Sequence, residues 1–182
     1  MKSDYLIVSC SLNPDSNSRK MARAAFDLLN EKGGAEWLDL RDYELPICDG
    51  GAAYSHSNVE IVAQKIRDAK CVLMAVPIYN FDVNAAAKNL IELTGRAWTE
   101  KVVGFLCAAG GKSSYMSVMG VANSLMLDFR SLIIPRFVYA DGSSFDNESV
   151  SDALVKTRIE ELVDTAITLT EPARQAKRAN PA

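Results

Sequence analysis

The chain predicts an α/β fold: a mostly parallel sheet of five strands with helices on both faces. Three observations lead there. Strand-like apolar runs alternate with amphipathic helical runs five times, the pattern of parallel strands joined by crossover helices. The third and fourth runs, residues 71–76 and 101–107, are almost continuously apolar, as strands covered on both faces are. The 182 residues, 48% hydrophobic and 24% charged, suit one domain with a sizeable core. The expectation is a single domain over residues 1–170 and a polar, proline-flanked disordered tail over 171–182.

The elements follow in order. Tyr5-Leu6-Ile7-Val8 begins the first strand, over 5–10. A polar turn leads into an amphipathic helix over 20–30, ended by Gly33-Gly34. The second strand covers 36–40. The loop over 41–56 is long for a connection in such a fold and reads as a lid or an interface element. Ser57-x-x-Glu60 is a capping box for a helix whose Val59, Val62, Ile66 and Ala69 share one face. Pro77 is expected to stop the third strand and Asn84 to cap the following helix. After the fourth strand, Met116, Met119, Ala122, Met126 and Phe129 recur at helical spacing and read as core packing. The fifth strand, 132–139, contains Pro135, so it should be an edge strand or carry a bulge. Val155, Ile159, Leu162, Val163, Ala166 and Ile167 mark the last helix. An edge position for the fifth strand gives the order 2-1-3-4-5 in a three-layer sandwich. Ligands then bind at the carboxyl ends of the strands, where the loops after strands one, three and four converge.

Those three loops carry the candidate site. The first, Ser9-Cys10-Ser11-Leu12-Asn13-Pro14-Asp15-Ser16-Asn17-Ser18-Arg19, places hydroxyls and amides where a helix begins. The first amides of a helix lack intrahelical partners and its dipole is positive there, so a phosphate gains from both. Ser11, Asn13, Ser16, Asn17 and Ser18 are the candidate phosphate ligands, with helix capping alone as the plain alternative. The glycine spacings of dinucleotide and Walker-type loops are absent. In the second loop, Pro77, Ile78, Tyr79 and Asn80 offer an aromatic face and an amide suited to a planar heteroaromatic edge. Lys88 and Asn89 beyond it brace the loop or form a solvated face. In the third, Gly110 and Gly111 let the backbone approach a flat ligand, with Tyr115 nearby.

Composition excludes other classes. A net charge of −3 disfavours a nucleic-acid partner. Cys10, Cys48, Cys71 and Cys107 lack metal-ligand spacing and His56 is the single histidine, so no metal site is expected. His56 reads as a loop residue, and no nucleophile–histidine–carboxylate set exists, so no catalytic residue is nominated. No apolar run spans a membrane and no leader is legible; a cytoplasmic location is the expectation.

Ser11-Leu12-x-x-x-Ser16-x-Ser18-Arg19, then Pro77-Ile78-Tyr79-Asn80 with Lys88-Asn89 and the paired glycines, resembles the NADPH-dependent FMN reductase family of flavodoxin-like proteins. The likeness runs over residues 5–139. It implies that Ser11, Ser16 and Ser18 hold an FMN phosphate, that Pro77, Ile78, Tyr79 and Asn80 line the isoalloxazine, and that Gly110 and Gly111, with Tyr115, close its other side. It implies hydride transfer from NADPH or NADH to FMN and on to a small acceptor such as a flavin, quinone, azo compound or metal ion. A non-enzymatic FMN electron carrier is the alternative, and a scaffold without cofactor a third. Family members usually pair so that a neighbour helps wall the flavin; a homodimer or homotetramer is expected, with Phe81, Trp98 and the 41–56 loop as candidate contacts. Many members have Gly-Ser-Leu-Arg where this chain has Cys10-Ser11-Leu12-Asn13. Either Arg19 offsets that loss or the helix end and the hydroxyls suffice, and Asp15 is a charge that must point away from a phosphate.

Overall fold

The computed structural model describes residues 3–179, with side chains through residue 171. Strands β1 (Tyr5–Ser9), β2 (Glu36–Asp39), β3 (Cys71–Tyr79) and β5 (Val102–Ala109) form a parallel core in the order β2-β1-β3-β5. A short β4 (Asp82–Val83) turns back antiparallel on β3, with Tyr79 opposite Asp82. Helices α1 (Asn17–Glu31), α2 (Ser57–Asp68), α3 (Ala85–Thr94), α4 (Met119–Phe129) and α5 (Ala153–Ala179) cover the two faces.

Alternating side chains send each strand's apolar residues to opposite layers. Leu6, Val8, Val72, Met74, Val103 and Phe105 pack under α2, α3 and α4, whose Val62, Leu90 and Leu125 meet them. Tyr5, Ile7, Leu73 and Leu106 pack under α1 and α5, against Met21, Leu29, Ile159 and Leu162. Gly104 lets α5 lie close to β5: a Cβ there would come within 2.7 Å of Leu73 Cδ2 and 3.1 Å of Leu162 Cδ1.

The fifth strand arrives in two pieces. β6 (Leu132–Ile133) and β7 (Val138–Asp141) both pair with the outer side of β5, Ile133 opposite Val103 and Val138 opposite Leu106. Between them Pro135 has no amide to give, and Arg136 takes φ 60°, so the chain steps out of the ladder and returns. The expected stop at Pro77 does not occur, because β3 continues to Tyr79. Pro77 O accepts from Asn84 N at 3.1 Å on the β4 side, and a strand residue's nitrogen points the same way as its carbonyl. No bond to β5 is therefore lost.

Other expectations shift by a residue or a partner. α1 begins at Asn17, capped by Ser16, whose side chain accepts from Arg19 N. Gly34 N bonds Leu29 O at 3.0 Å and closes the helix as expected. α2 is capped one residue earlier than the capping box implied: His56 Nδ1 accepts from Asn58 N at 3.3 Å, while Glu60 pairs with Arg67. Trp98, a candidate for a subunit contact, is fully buried and donates from Nε1 to Thr94 Oγ1 at 2.8 Å. The methionines behave the opposite way: Met116, Met119 and Met126 are exposed, and α4 meets the core through Val121, Ala122, Leu125 and Phe129. Helix α5 extends over the segment expected to be a tail, as far as Ala179; residues 180–182 of that segment lie outside the described residues.

Candidate functional site

The carboxyl ends of β1, β3, β5 and β7 enclose a cleft of about 690 Å³, within the range of roughly 300–1,000 Å³ that ligand pockets span. Ser11, Asn13, Ser16, Asn17 and Ser18 form one end. Pro77, Ile78, Tyr79 and Asn80 form a wall, and Gly110 faces them. Three loops far apart in sequence are thus brought together by strand order alone.

The first loop is held by its own polar atoms. Ser11 Oγ accepts from Asn13 N at 3.2 Å and Asn13 Oδ1 from Asp15 N at 3.0 Å, two successive side-chain-closed turns. Ser16 and Ser18 hydroxyls lie 2.9 Å apart, and Ser16 Oγ also accepts from Arg19 N. Whichever serine donates to the other, one hydroxyl hydrogen is left for a ligand. The amides of Asn17 and Ser18 belong to the first helical turn and have no partner four residues back. Asn17 lines the cleft, and its Oδ1 accepts from Lys20 Nζ at 3.1 Å, which leaves its NH₂ hydrogens without a protein acceptor among the described bonds.

Arg19 does not serve as the phosphate cation anticipated from its position. Its five donors meet Asp39 Oδ2 at 2.8 Å, Asp39 Oδ1 at 3.4 Å, Asn13 O at 2.8 Å, Pro14 O at 3.1 Å and Ser11 O at 2.8 Å. A guanidinium has no sixth N–H to offer. Arg19 therefore fastens the loop from behind to the end of β2. Burial pushes the Asp39 carboxyl up, but hydrogen bonds from Arg41 and Arg19 outweigh it and hold the group below the usual carboxylate range. Burial, with the charge of Asp39 added, drives the Cys10 thiol far above its usual value, so Cys10 is packing and not a nucleophile.

The second loop is a two-residue hairpin turn with both central residues left-handed, Asn80 at φ 52° and Phe81 at φ 64°. That geometry projects Tyr79 and Phe81 outward, both exposed, beside the cleft. Asn84 stands at the N-cap of α3 but does not cap it with its side chain. Its Nδ2 donates to Cys10 O at 2.7 Å, tying the second loop to the first, and its Oδ1 is buried without a protein partner. Asn89 braces a different loop from the one expected: it accepts from Cys48 N and donates to Pro46 O, both at 2.9 Å. Lys88 pairs with Glu92.

In the third loop only one glycine of the pair reaches the cleft. Gly110 lines it, and a Cβ there would meet no protein atom within 4 Å. Gly111 lies behind, its carbonyl accepting from the Tyr139 hydroxyl. Tyr115 packs tilted against Phe137 at 4.8 Å and edge-on against Tyr139 at 5.6 Å between ring centroids, off the cleft wall. Sequence reading missed Ala108, Ala109 and Gly142 among the lining residues, and Asp15, expected to point away from a phosphate, lines the cleft as well. The signal for Gly142 was legible, since it follows the last strand at the same carboxyl edge. A second depression, of about 730 Å³, lies between α3 and α4 and is lined by Lys88, Glu92, Arg96, Asp128 and Arg130. It is away from the strand ends. Among the described residues no cluster of potential metal ligands occurs.

Residues 4–146 match the family model described as NADPH-dependent FMN reductase. The chain belongs to the NADPH-dependent FMN reductase family. An NAD(P)H-dependent FAD/FMN reductase of Geobacillus thermodenitrificans (strain NG80-2) is 29% identical over 128 residues, 69% of each chain. An NADPH:quinone oxidoreductase of Arabidopsis thaliana is 28% identical over 172 residues, 86% of each. Among solved structures, an NADH:FMN oxidoreductase superposes with TM-score 0.76 at 14% identity, covering 90% of this chain and 88% of its own. A flavoenzyme NAD(P)H:(acceptor) oxidoreductase from Paracoccus denitrificans gives 0.71 at 20%, covering 90% and 97%. At such identities these two establish the flavodoxin-like fold alone. Membership makes this reductase an NAD(P)H-dependent oxidoreductase with FMN as its flavin, and favours the enzyme over the electron carrier.

Proposed function

We propose that this FMN reductase holds its flavin in the cleft, with the phosphate at Ser11, Asn13, Ser16, Asn17 and Ser18, and delivers electrons to a small acceptor such as a flavin, quinone or azo compound. The observation that carries the reading is the donor set at the start of α1. A spare serine hydroxyl, the Asn17 side chain and two first-turn amides lie together at the start of α1, where the helix dipole is positive. Asp15 is the charged residue on that lining, so the phosphate is held by dipoles rather than by a contacting cation. The open space over Gly110, which lines the cleft, also fits a site completed by a ligand.

The chemistry the flavin supplies when bound is hydride acceptance from a reduced nicotinamide and two-electron delivery onward. This chain's own residues bind and orient. Pro77, Ile78 and Tyr79 form one wall for the ring, Asn80 offers donor and acceptor to its polar edge, and Gly110 permits close approach from the opposite side. Gly111 and Tyr115 support that side from behind through Tyr139. No proton relay is required of side chains.

Residues 1–170 are the flavin-binding unit in this reading, and the reductase works as a homodimer or homotetramer. A second copy would cover the exposed Tyr79 and Phe81 and the methionine face of α4. Among the described residues no helix is long and apolar enough to cross a membrane; we place the enzyme in the cytoplasm.

The test is spectroscopic. Apoprotein titrated with FMN at micromolar concentration should give a bound-flavin spectrum that bleaches anaerobically with NADPH or NADH and recovers with a quinone. Protein that binds no FMN, or whose bound FMN neither nicotinamide reduces, overturns the proposal.

A further inference from the structure

One side chain joins the two loops that form the phosphate end and the ring wall of the cleft. Asn84 follows the β4 return and is 6% exposed. Its backbone nitrogen donates to Pro77 O at 3.1 Å, which fastens it to the first residue of the ring wall. Its Nδ2 donates to Cys10 O at 2.7 Å, across 74 residues of sequence, and Cys10 precedes Ser11, where the phosphate cradle begins. Among the described residues no other side chain bonds the first loop to the second. The tie is kept at a local cost. Asn84 has the extended backbone of an N-cap, φ −61° and ψ 151°, yet its side chain caps none of the first amides of α3, although asparagine is among the best capping residues. Its Oδ1 is buried without a protein partner, a second loss. Turning the amide over gives no relief, because Oδ1 would then face Cys10 O, acceptor against acceptor. A residue that forgoes a cap and leaves an acceptor buried is arranged for something other than helix stability.

We propose that Asn84 is a positioning residue: it fixes the spacing between the phosphate cradle and the ring wall, so that one FMN engages both. Asn84 is not among the residues that line the cleft, and it acts through Cys10 and Pro77. When a ligand engages two subsites, the second contact is intramolecular, and its gain is largest when the subsites are held at the span of the ligand. Loosening the tie leaves each subsite in place and removes part of that gain. This rests on the proposed placement of the flavin, and it adds what holds the two ends of the site at a fixed distance.

Calorimetric titration of the apoprotein with FMN and with riboflavin, which has the ring and lacks the phosphate, reads the coupling as a ratio of two affinities. Unaltered protein should bind FMN at least about tenfold more tightly than riboflavin. Asn84→Ser keeps an acceptor for the α3 cap and is too short to reach Cys10 O. It should weaken FMN about fivefold and leave riboflavin within about twofold. Its urea midpoint should stay near that of the unaltered protein, because a cap replaces the lost bond. Asn84→Ala has neither cap nor tie; its midpoint should fall, while its affinities for FMN and riboflavin match those of Asn84→Ser. Variants that weaken both flavins alike, or that leave FMN affinity unchanged, overturn the inference. So does a loss of FMN affinity that follows the urea midpoint from one variant to the other. Unaltered protein that binds FMN no more tightly than riboflavin removes the phosphate placement itself, and this inference falls with it.

Discussion

Ser16 caps α1 and, in the proposed site, also holds the phosphate; the two jobs separate by experiment. As N-cap of α1 it accepts from Arg19 N, and through its bond to Ser18 it leaves one hydroxyl hydrogen for a ligand. Ser16→Ala should cost about 1 kcal/mol of stability through the lost cap and at least about 1 kcal/mol of FMN affinity through the lost charge-assisted bond. Urea denaturation reads the first and flavin titration the second; unchanged affinity removes Ser16 from the phosphate site. Asp39 acts through Arg19. Its carboxyl titrates below the usual range in the folded protein, so its stabilisation is complete above the unfolded-state value of about 3.9 and disappears as pH falls through the lower folded value. Asp39→Asn should cost about 1–3 kcal/mol at pH 7, and the difference from the unaltered protein should shrink in urea melts at pH 3. Ser11, Ser16 and Ser18 were legible because chain order alone places them at a helix start. Arg19 was misread because its neighbour in space, Asp39, lies twenty residues on, at the end of the strand beside β1. Proximity along the chain suggested a ligand; the sheet supplied a carboxylate instead.

At the scale of elements, local chemistry and pairing disagree most in the hairpin between β3 and β4. A two-residue turn with both φ values positive favours Asn-Gly, and this chain has Asn80-Phe81. Left-handed backbone costs a residue with a Cβ roughly 1–2 kcal/mol, while Phe81 is 66% exposed and regains little by packing. Strain of this kind persists beside functional sites. Phe81→Gly should therefore stabilise the protein by about 1 kcal/mol in urea denaturation; a lower midpoint means that Phe81 is packed in a way the single chain does not show. The same hairpin explains why Pro77 misled. A proline ends a strand only where its missing amide was needed, and that depends on which side the neighbouring strand lies. Strand alternation and helix periodicity, by contrast, depend only on side-chain spacing, and α1, α2 and the parallel core follow them closely.

For the whole molecule, apolar spacing located α4 but not its buried face. Met119 and Met126 share a side seven residues apart and stay exposed, while Trp98, which sequence position suggested for the surface, fills the core. Helical spacing reports which residues share a face, not what covers it. An exposed face of methionines with Leu127 calls for a partner, and the proposed oligomer supplies one. Sedimentation of the unaltered protein should show a dimer or larger species, and Leu127→Glu, 77% exposed in the single chain, should shift it toward monomer; an unaltered protein that sediments as monomer rejects the assembly.

The break between β6 and β7 bears on how the protein behaves when crowded. Peptide groups along a sheet's outermost strand can recruit the same strand of another molecule and seed fibrous growth. On this margin the run is only two residues, then a proline and a left-handed arginine, then four residues. The opposite margin is β2, four residues long, with Glu36 held by Lys65. Neither border offers a long uninterrupted template, so concentrated solutions should resist amyloid-like polymerisation.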